Sequence, residues 1–188
     1  MRSRFSLVLL ASLGLVGCAT DGTTTGGGAP APGPSASTSV SPGGAGSSQQ
    51  FSKADFAWST AAGKGEIEGQ LAFKQGSVAY SCTEAGVRLT PETPWVRRRM
   101  EILYTSADKA TLPAAEVRAR TPPERNQDYV AFVKQTACDA AGHFNFSALA
   151  DGAWYVITVA RPAPGTSGAE MAIMRRVVIK GGKVKLTL

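Results

Sequence analysis

The strongest constraint in this chain is an alternation of apolar and polar residues with a period of two. In GEIEGQLAF, residues 65–73, Ile67, Gly69, Leu71 and Phe73 fall on one face, and Glu66, Glu68 and Gln70 on the other. A pleated strand sends successive side chains to opposite faces, whereas a helix scatters such a set around its axis. DYVAFVKQTAC and AWYVITVA are rich in β-branched and aromatic residues, and the second is apolar on both faces, as a central strand is. VAYSC, GVRLT and VRRRMEILYT bring the total to about seven or eight short strands with turn residues between them. At the C-terminus, MRRVVIKGGKVKLTL sets Gly181-Gly182 between two alternating runs and predicts a hairpin with a type I′ turn. The pattern predicts an all-β, antiparallel Greek-key β-sandwich over residues 51–188. Residues 106–127 are the one long irregular insert, with a short helical turn expected around Ala114 to Arg118.

The first fifty residues have no part in such a core. Arg2 and Arg4 precede the apolar run FSLVLLASLGLV, the layout of an export signal. At about twelve residues the run is too short for a bilayer, which needs about 20. It ends in LVGC, residues 15–18, which resembles the bacterial lipobox: residues 1–17 are then a cleaved signal, and Cys18 carries acyl chains, palmitate among them. The other reading is an ordinary signal peptide with Cys18 incidental. Ala19, rather than Asp, in the second mature position favours the outer membrane. From Ala19 to Gln50 the chain is almost wholly Gly, Ala, Pro, Ser and Thr, with Asp21 the only charge. So little apolar surface cannot offset ordering entropy, and residues 18–50 are expected to be a disordered tether spanning roughly 30 Å. Loss of Arg2 and Arg4 takes the formal net charge from +6 to +4, which suits a neighbour rich in anionic lipid or polymer and equally suits plain solubility. A lipid-anchored envelope protein is no partner for nucleic acid.

A family resemblance rests on CDAAGHFNFSALADGAWYVITVA. Asp139, Gly142, Phe144, Phe146, Leu149 and Gly152 fall on a pattern similar to that of carboxypeptidase regulatory-like domains, the transthyretin-like or prealbumin-like sandwiches. Asp139 can bond turn amides, Gly142 supplies positive φ, and the three apolar residues drive a strand into the core. Gly65, Ile67, Gly69 and Leu71 match the opening strand, and AGVRLTP resembles the second. Cys138 departs from the usual Thr and Trp154 from the usual Tyr, and residues 92–127 are longer than in the usual domain. The resemblance implies an accessory, adhesive or stabilising module and does not name a ligand.

Catalytic signals are sparse. His143 is the only histidine, so a zinc peptidase site, a Ser-His-Asp triad or a histidine-rich metal site is not expected, and no cofactor is. Glu66 and Glu68 share one strand face about 7 Å apart, a carboxylate spacing that glycosidases use and that solvated strands show as a matter of course. WVRRRM is read as a strand with Arg97 and Arg99 on one face and Arg98 on the other. With Arg175 and Arg176 of MRRVV, they form a candidate anionic-ligand patch if the two strands are neighbours. The alternative is a set of solvated edges that discourage aggregation. Trp58 with Phe51 and Phe56 is either a sugar-stacking surface or an N-terminal segment clipped onto the core; Trp95 and Trp154 are read as core or near-core.

Three cysteines divide as one plus two. With Cys18 modified by lipid, Cys82 is expected to pair with Cys138 in an oxidising compartment, the alternative being two buried thiols. The expected function is that of a non-enzymatic envelope lipoprotein whose sandwich binds or braces an envelope protein or anionic polymer. The rival is an envelope hydrolase acting on glycans through acidic residues. A concave pocket gathering ionisable groups with shifted pKa separates the two.

Overall fold

The computed structural model describes residues 50–123 and 126–188; the signal, Cys18 and the expected tether lie outside the described residues. Ten strands form two sheets, ordered β10-β1-β7 in the smaller and built around β8 in the larger. The strands are β1 Gly65–Gln70, β2 Lys74–Gln75, β3 Val78–Ser81, β4 Val87–Pro91, β5 Lys109–Pro113, β6 Lys134–Thr136, β7 His143–Leu149, β8 Gly152–Pro162, β9 Met171–Ile179 and β10 Lys183–Thr187. One edge of β8 carries β9 and then β5. The other carries β4, flanked by β6, and farther along β3, flanked by β2. All pairings are antiparallel except β1 with β10. The chain is a mainly antiparallel β-sandwich.

Two apolar cores follow from the two faces of the larger sheet. Between the sheets lie Ile67, Leu71, Val87, Leu89, Phe144, Phe146, Leu149, Trp154, Val156, Ile173 and Ile179. Alternation in β1 and β7 points these residues inward and leaves Glu66, Glu68, Asn145 and Ser147 outward. Gly69 sits opposite Phe144, and a Cβ there would stand 1.9 Å from the Phe144 ring, so only glycine lets that ring lie across β1. The second core covers the other face of the larger sheet, where Tyr155, Ala172 and Met174 meet Phe56, Val96, Met100 and Leu103. This accounts for a β8 that is apolar on both faces.

Helices supply that second layer, and here the structure corrects the strand reading of WVRRRM. Residues Pro94–Tyr104 form helix α1. Thr93 caps its N-terminus, with Oγ1 accepting from the Val96 amide at 3.1 Å, and Pro94 occupies the first turn, where a missing N–H is harmless. Val96, Met100, Leu103 and Tyr104 recur at helical spacing and are buried. DYVAFVKQTAC is likewise only partly strand: Gln127–Val130 is a helical turn, α3, with the Asn126 side chain accepting from the Tyr129 amide, and pairing is confined to β6. The insert at 106–127 is less irregular than expected, holding edge strand β5 and helix α2, Ala114–Ala119, at the anticipated helical turn. Residues Lys53–Thr60 form a 3-10 helix that clips Phe56 into the helix-side core.

The C-terminal hairpin is also corrected. Gly181 and Gly182 do take positive φ, 71° and 75°, but the runs they join do not pair. β9 pairs β8 in the larger sheet, whereas β10 crosses to the smaller sheet and runs parallel to β1. The turn is fastened by the Gly181 amide donating to Asp151 and the Glu66 amide donating to the Gly182 carbonyl. Both runs still face one core, because that core lies between the sheets they enter. Cys82 and Cys138 are joined by a disulfide, with Cα atoms 5.6 Å apart, that ties the turn after β3 to the loop before β7. Closing a loop of 56 residues restricts the unfolded chain by on the order of 4 kcal/mol. Among the described residues no helix is long and apolar enough to cross a membrane.

Candidate functional site

The outer face of the smaller sheet is polar throughout. Cross-strand register sets Glu66 beside Lys183, Glu68 beside both Lys185 and Asn145, and Gln70 beside His143. Next to these, an open depression of about 570 Å³ is lined by Glu68, Asp139, His143 and Asn145, with Gly69, Ala137, Cys138 and Phe144 as its remaining wall. Its polar side chains are each held by a neighbour. Asn145 donates to Glu66 at 2.7 Å, and Lys183 bridges Glu66 and Glu68, a pairing that raises the Lys183 pKa, first through its hydrogen bond to Glu68. The Asp139 carboxylate accepts from the amides of Ala141 at 2.9 Å and His143 at 2.7 Å, and its second oxygen faces His143 Nδ1 at 3.2 Å. The His143 amide above all holds the Asp139 carboxyl below its ordinary value.

This turn performs the tasks read from the motif: Asp139 bonds the amides, Gly142 has φ 84°, and Phe144, Phe146 and Leu149 are buried. The disulfide lies directly beneath it, since Cys138 precedes Asp139 and lines the same depression. The carboxyls with shifted pKa, Asp139 and Glu170, both move down, the wrong direction for a general acid. The arrangement is a fixed set of donors and acceptors on an open surface.

The structure distributes the four arginines of the anionic-ligand patch differently from the sequence reading. Arg97 lies on α1 and Arg176 on β9, and Glu92 accepts from both, at 3.0 Å from Arg97 and 2.5 Å from Arg176. Arg175 donates to the carbonyls of Ala110 and Met174. Arg99 lies over aromatic rings, 5.6 Å from the Trp95 centroid and 6.0 Å from that of Tyr129. Arg97 and Arg176 therefore meet through a carboxylate, and Arg99 and Arg175 go elsewhere. Trp58, Phe51 and Phe56 also separate: Trp58 stacks edge-on with Trp154 in the sandwich core, while Phe51 and Phe56 join Trp95, Tyr129 and Phe132 on the helix side. Trp154 is fully buried and Trp95 half-buried.

Sequence reasoning missed Arg88, Thr90, Tyr104 and Tyr129. Arg88 and Thr90 alternate onto the helix-side face of β4, opposite Ile157 and Tyr155 of β8. Thr90 is 1 % exposed, and its Oγ1 makes no well-formed hydrogen bond among the described residues. Burial pushes the Tyr104 phenol up to about 12 and raises that of Tyr129. Against burial, the Tyr129 phenol is pulled down first by the Thr90 hydroxyl, then by Arg99 and Arg88. Tyr155, fully buried, also has an unpartnered hydroxyl; burial first and Glu92 second push it up to about 12.

No protein-family model matches the sequence, and neither does any curated protein. Among solved structures, a crystal structure from Pseudomonas aeruginosa described as a "putative carbohydrate binding protein" shares the fold. Its TM-score is 0.55 at 20% sequence identity, over 74% of this chain and 98% of that one.

Proposed function

We propose that this chain is a non-enzymatic, lipid-anchored module of the outer membrane that binds glycan in the depression on its smaller sheet, and that its sandwich is of the carboxypeptidase regulatory-like kind. The observation that carries the reading is an open concavity lined by Glu68, Asp139, His143 and Asn145, with Asp139 and His143 bonded to each other, Asn145 held by Glu66 and Glu68 by Lys183. Sugar hydroxyls are recognised by such convergent donors and acceptors, and side chains already held by neighbours lose little freedom on binding. The likeness of fold to a protein described as binding carbohydrate supports the ligand class. Ion-paired Glu66 and Glu68 and a depressed Asp139 favour binding over hydrolysis. Acyl chains on Cys18 would anchor the module and residues 19–50 would give it reach.

The test is a glycan array probed with the Cys18→Ser chain and with the same chain carrying Glu68→Gln and Asn145→Ala. Retention on an envelope glycan that falls at least tenfold in the double variant is expected. Retention on none, or retention indifferent to the two substitutions, refutes the site. Metabolic labelling with a fatty acid, present in the native chain and absent from Cys18→Ser, is expected alongside.

A further inference from the structure

On the opposite side of the sandwich, the helix-side face of the larger sheet gathers two guanidiniums without an ion pair and three hydroxyls without a well-formed hydrogen bond among the described residues. The other arginines of this layer have carboxylate partners: Arg97 with Glu92 and Glu101, Arg98 with Glu101, Arg118 with Glu170, Arg120 with Glu116 and Arg176 with Glu92. Arg175, which lies in the sheet itself, is taken up by carbonyls. Arg88 and Arg99 form no ion pair among the described residues. Arg99 is nonetheless held, lying over both Trp95 and Tyr129, so its donor edge is fixed without being consumed. Arg88 is exposed and reaches the same ground from β4, two residues before Thr90 and on the same face, about 7 Å away along the strand.

The hydroxyls are equally unspent. Thr90 Oγ1 is buried without a partner, and such an atom normally costs about 1–3 kcal/mol. Arg99 lies over the Tyr129 ring, and Arg99 and Arg88 both pull the Tyr104 and Tyr129 phenols down against burial, with no carboxylate acting on either among the described residues. A cluster with positive charge, fixed donors and no carboxylate among the described residues is arranged for an external anion.

We propose that Arg88 and Arg99, with the hydroxyls of Thr90, Tyr104 and Tyr129, form a second binding site that takes an oxyanion carried by a hydroxyl-rich ligand. Two sources share that chemistry: the carboxylate of a uronic acid and the phosphate of a phosphorylated sugar. Forked guanidinium donors match either group, and the Trp95 and Tyr129 rings beneath Arg99 hold its donor edge in place. The site lies on the far face from the depression, so the two can be occupied together, and the module could join two glycan segments.

The test is calorimetric titration of the full chain with trigalacturonate, with glucose 6-phosphate and with neutral maltotriose. At least one charged ligand is expected to bind, with affinity falling at least tenfold in Arg88→Gln and further in Arg88→Gln/Arg99→Gln. The Glu68→Gln/Asn145→Ala variant should keep that affinity, which separates this site from the depression. Binding is also expected to weaken as salt rises from 20 to 300 mM. Trigalacturonate alone assigns the carboxylate, glucose 6-phosphate alone the phosphate, and both together a general oxyanion site. Binding of neither at millimolar concentration, or binding unchanged in Arg88→Gln, overturns the proposal. Arg88 makes no hydrogen bond among the described residues and is exposed, so its substitution leaves folding intact as a control.

Discussion

The two faces of the larger sheet are both covered, yet they are built on opposite terms. The face toward the smaller sheet is filled mainly by hydrocarbon, and its hydroxyls are paired: Thr158 donates to the Gly86 carbonyl at 2.7 Å, and the Tyr80 phenol bonds Gln75 and the Ala169 carbonyl. The face toward the helices mixes Phe56, Val96 and Met100 with Thr90, Tyr104, Tyr129 and Tyr155, and two of those hydroxyls, of Thr90 and Tyr155, make no hydrogen bond among the described residues. One face is optimised for cohesion. The other leaves buried hydroxyls unpaired among the described residues, the trade of cohesion for recognition that the proposed oxyanion site implies.

Truncating one large side chain on each face gives the most direct measure of that difference. Trp154 is fully buried between the sheets, donates from its indole to the Ala150 carbonyl at 3.2 Å and stacks against Trp58. Trp154→Ala is expected to cost about 4 kcal/mol. Met100→Ala on the helix side is expected to cost about 2 kcal/mol, because the half-buried rings around it can settle into the space. Urea unfolding with an unchanged slope reads both. Equal costs would mean that the two faces are equally cohesive.

A second measurement sharpens the contrast at its boundary, where α1 lies on the sheet. If Thr93 were part of a strand, its hydroxyl would face solvent or sheet and Thr93→Ala would shift stability little. As the N-cap of α1, with its side chain 3.1 Å from the Val96 amide and 3 % exposed, it should cost about 1 kcal/mol when removed. Thr93→Ser should recover most of the loss in the same unfolding experiment. A neutral Thr93→Ala would detach the helix layer from its cap.

The sandwich face was legible in the sequence for a physical reason. In β1 and β7 the inward residues alternate with polar side chains, and the motif from Asp139 to Gly152 fixes its own turn through bonds made within four residues. The helix layer was not read, although Thr93-Pro94 marks a helix start and positions 96, 100, 103 and 104 repeat at helical spacing. A run of three arginines among β-formers hid that spacing, because short apolar stretches satisfy either period. The fate of β10 was beyond local reading. Gly181-Gly182 takes the backbone a hairpin needs, and only the bonds from Gly181 to Asp151 and from Glu66 to Gly182 send the next strand to the other sheet. The polar cluster was hidden for a related reason. Arg88 and Thr90 come from β4, Arg99 and Tyr104 from α1, and Tyr129 from α3, so nothing in their spacing announces that they meet.

The smallest expected effect has the opposite sign from the others, and for that reason tests the comparison most closely. Thr90→Val keeps the β-branched shape that suits a strand while removing a buried hydroxyl that has no partner. A satisfied hydroxyl such as that of Thr158 should be missed when replaced in the same way, at about 1 kcal/mol. An unsatisfied one should not: Thr90→Val is expected to leave stability unchanged or raise it by up to about 1 kcal/mol, because the desolvation penalty disappears with the group. The same substitution should weaken the binding of an oxyanionic sugar at the Arg88–Arg99 site. Stability rising as affinity falls would show that the helix-side face retains Thr90 for recognition rather than for cohesion. A loss of stability comparable to that of Thr158→Val would mean that the Thr90 hydroxyl is satisfied within the fold, and the two faces would then differ only in the elements that cover them.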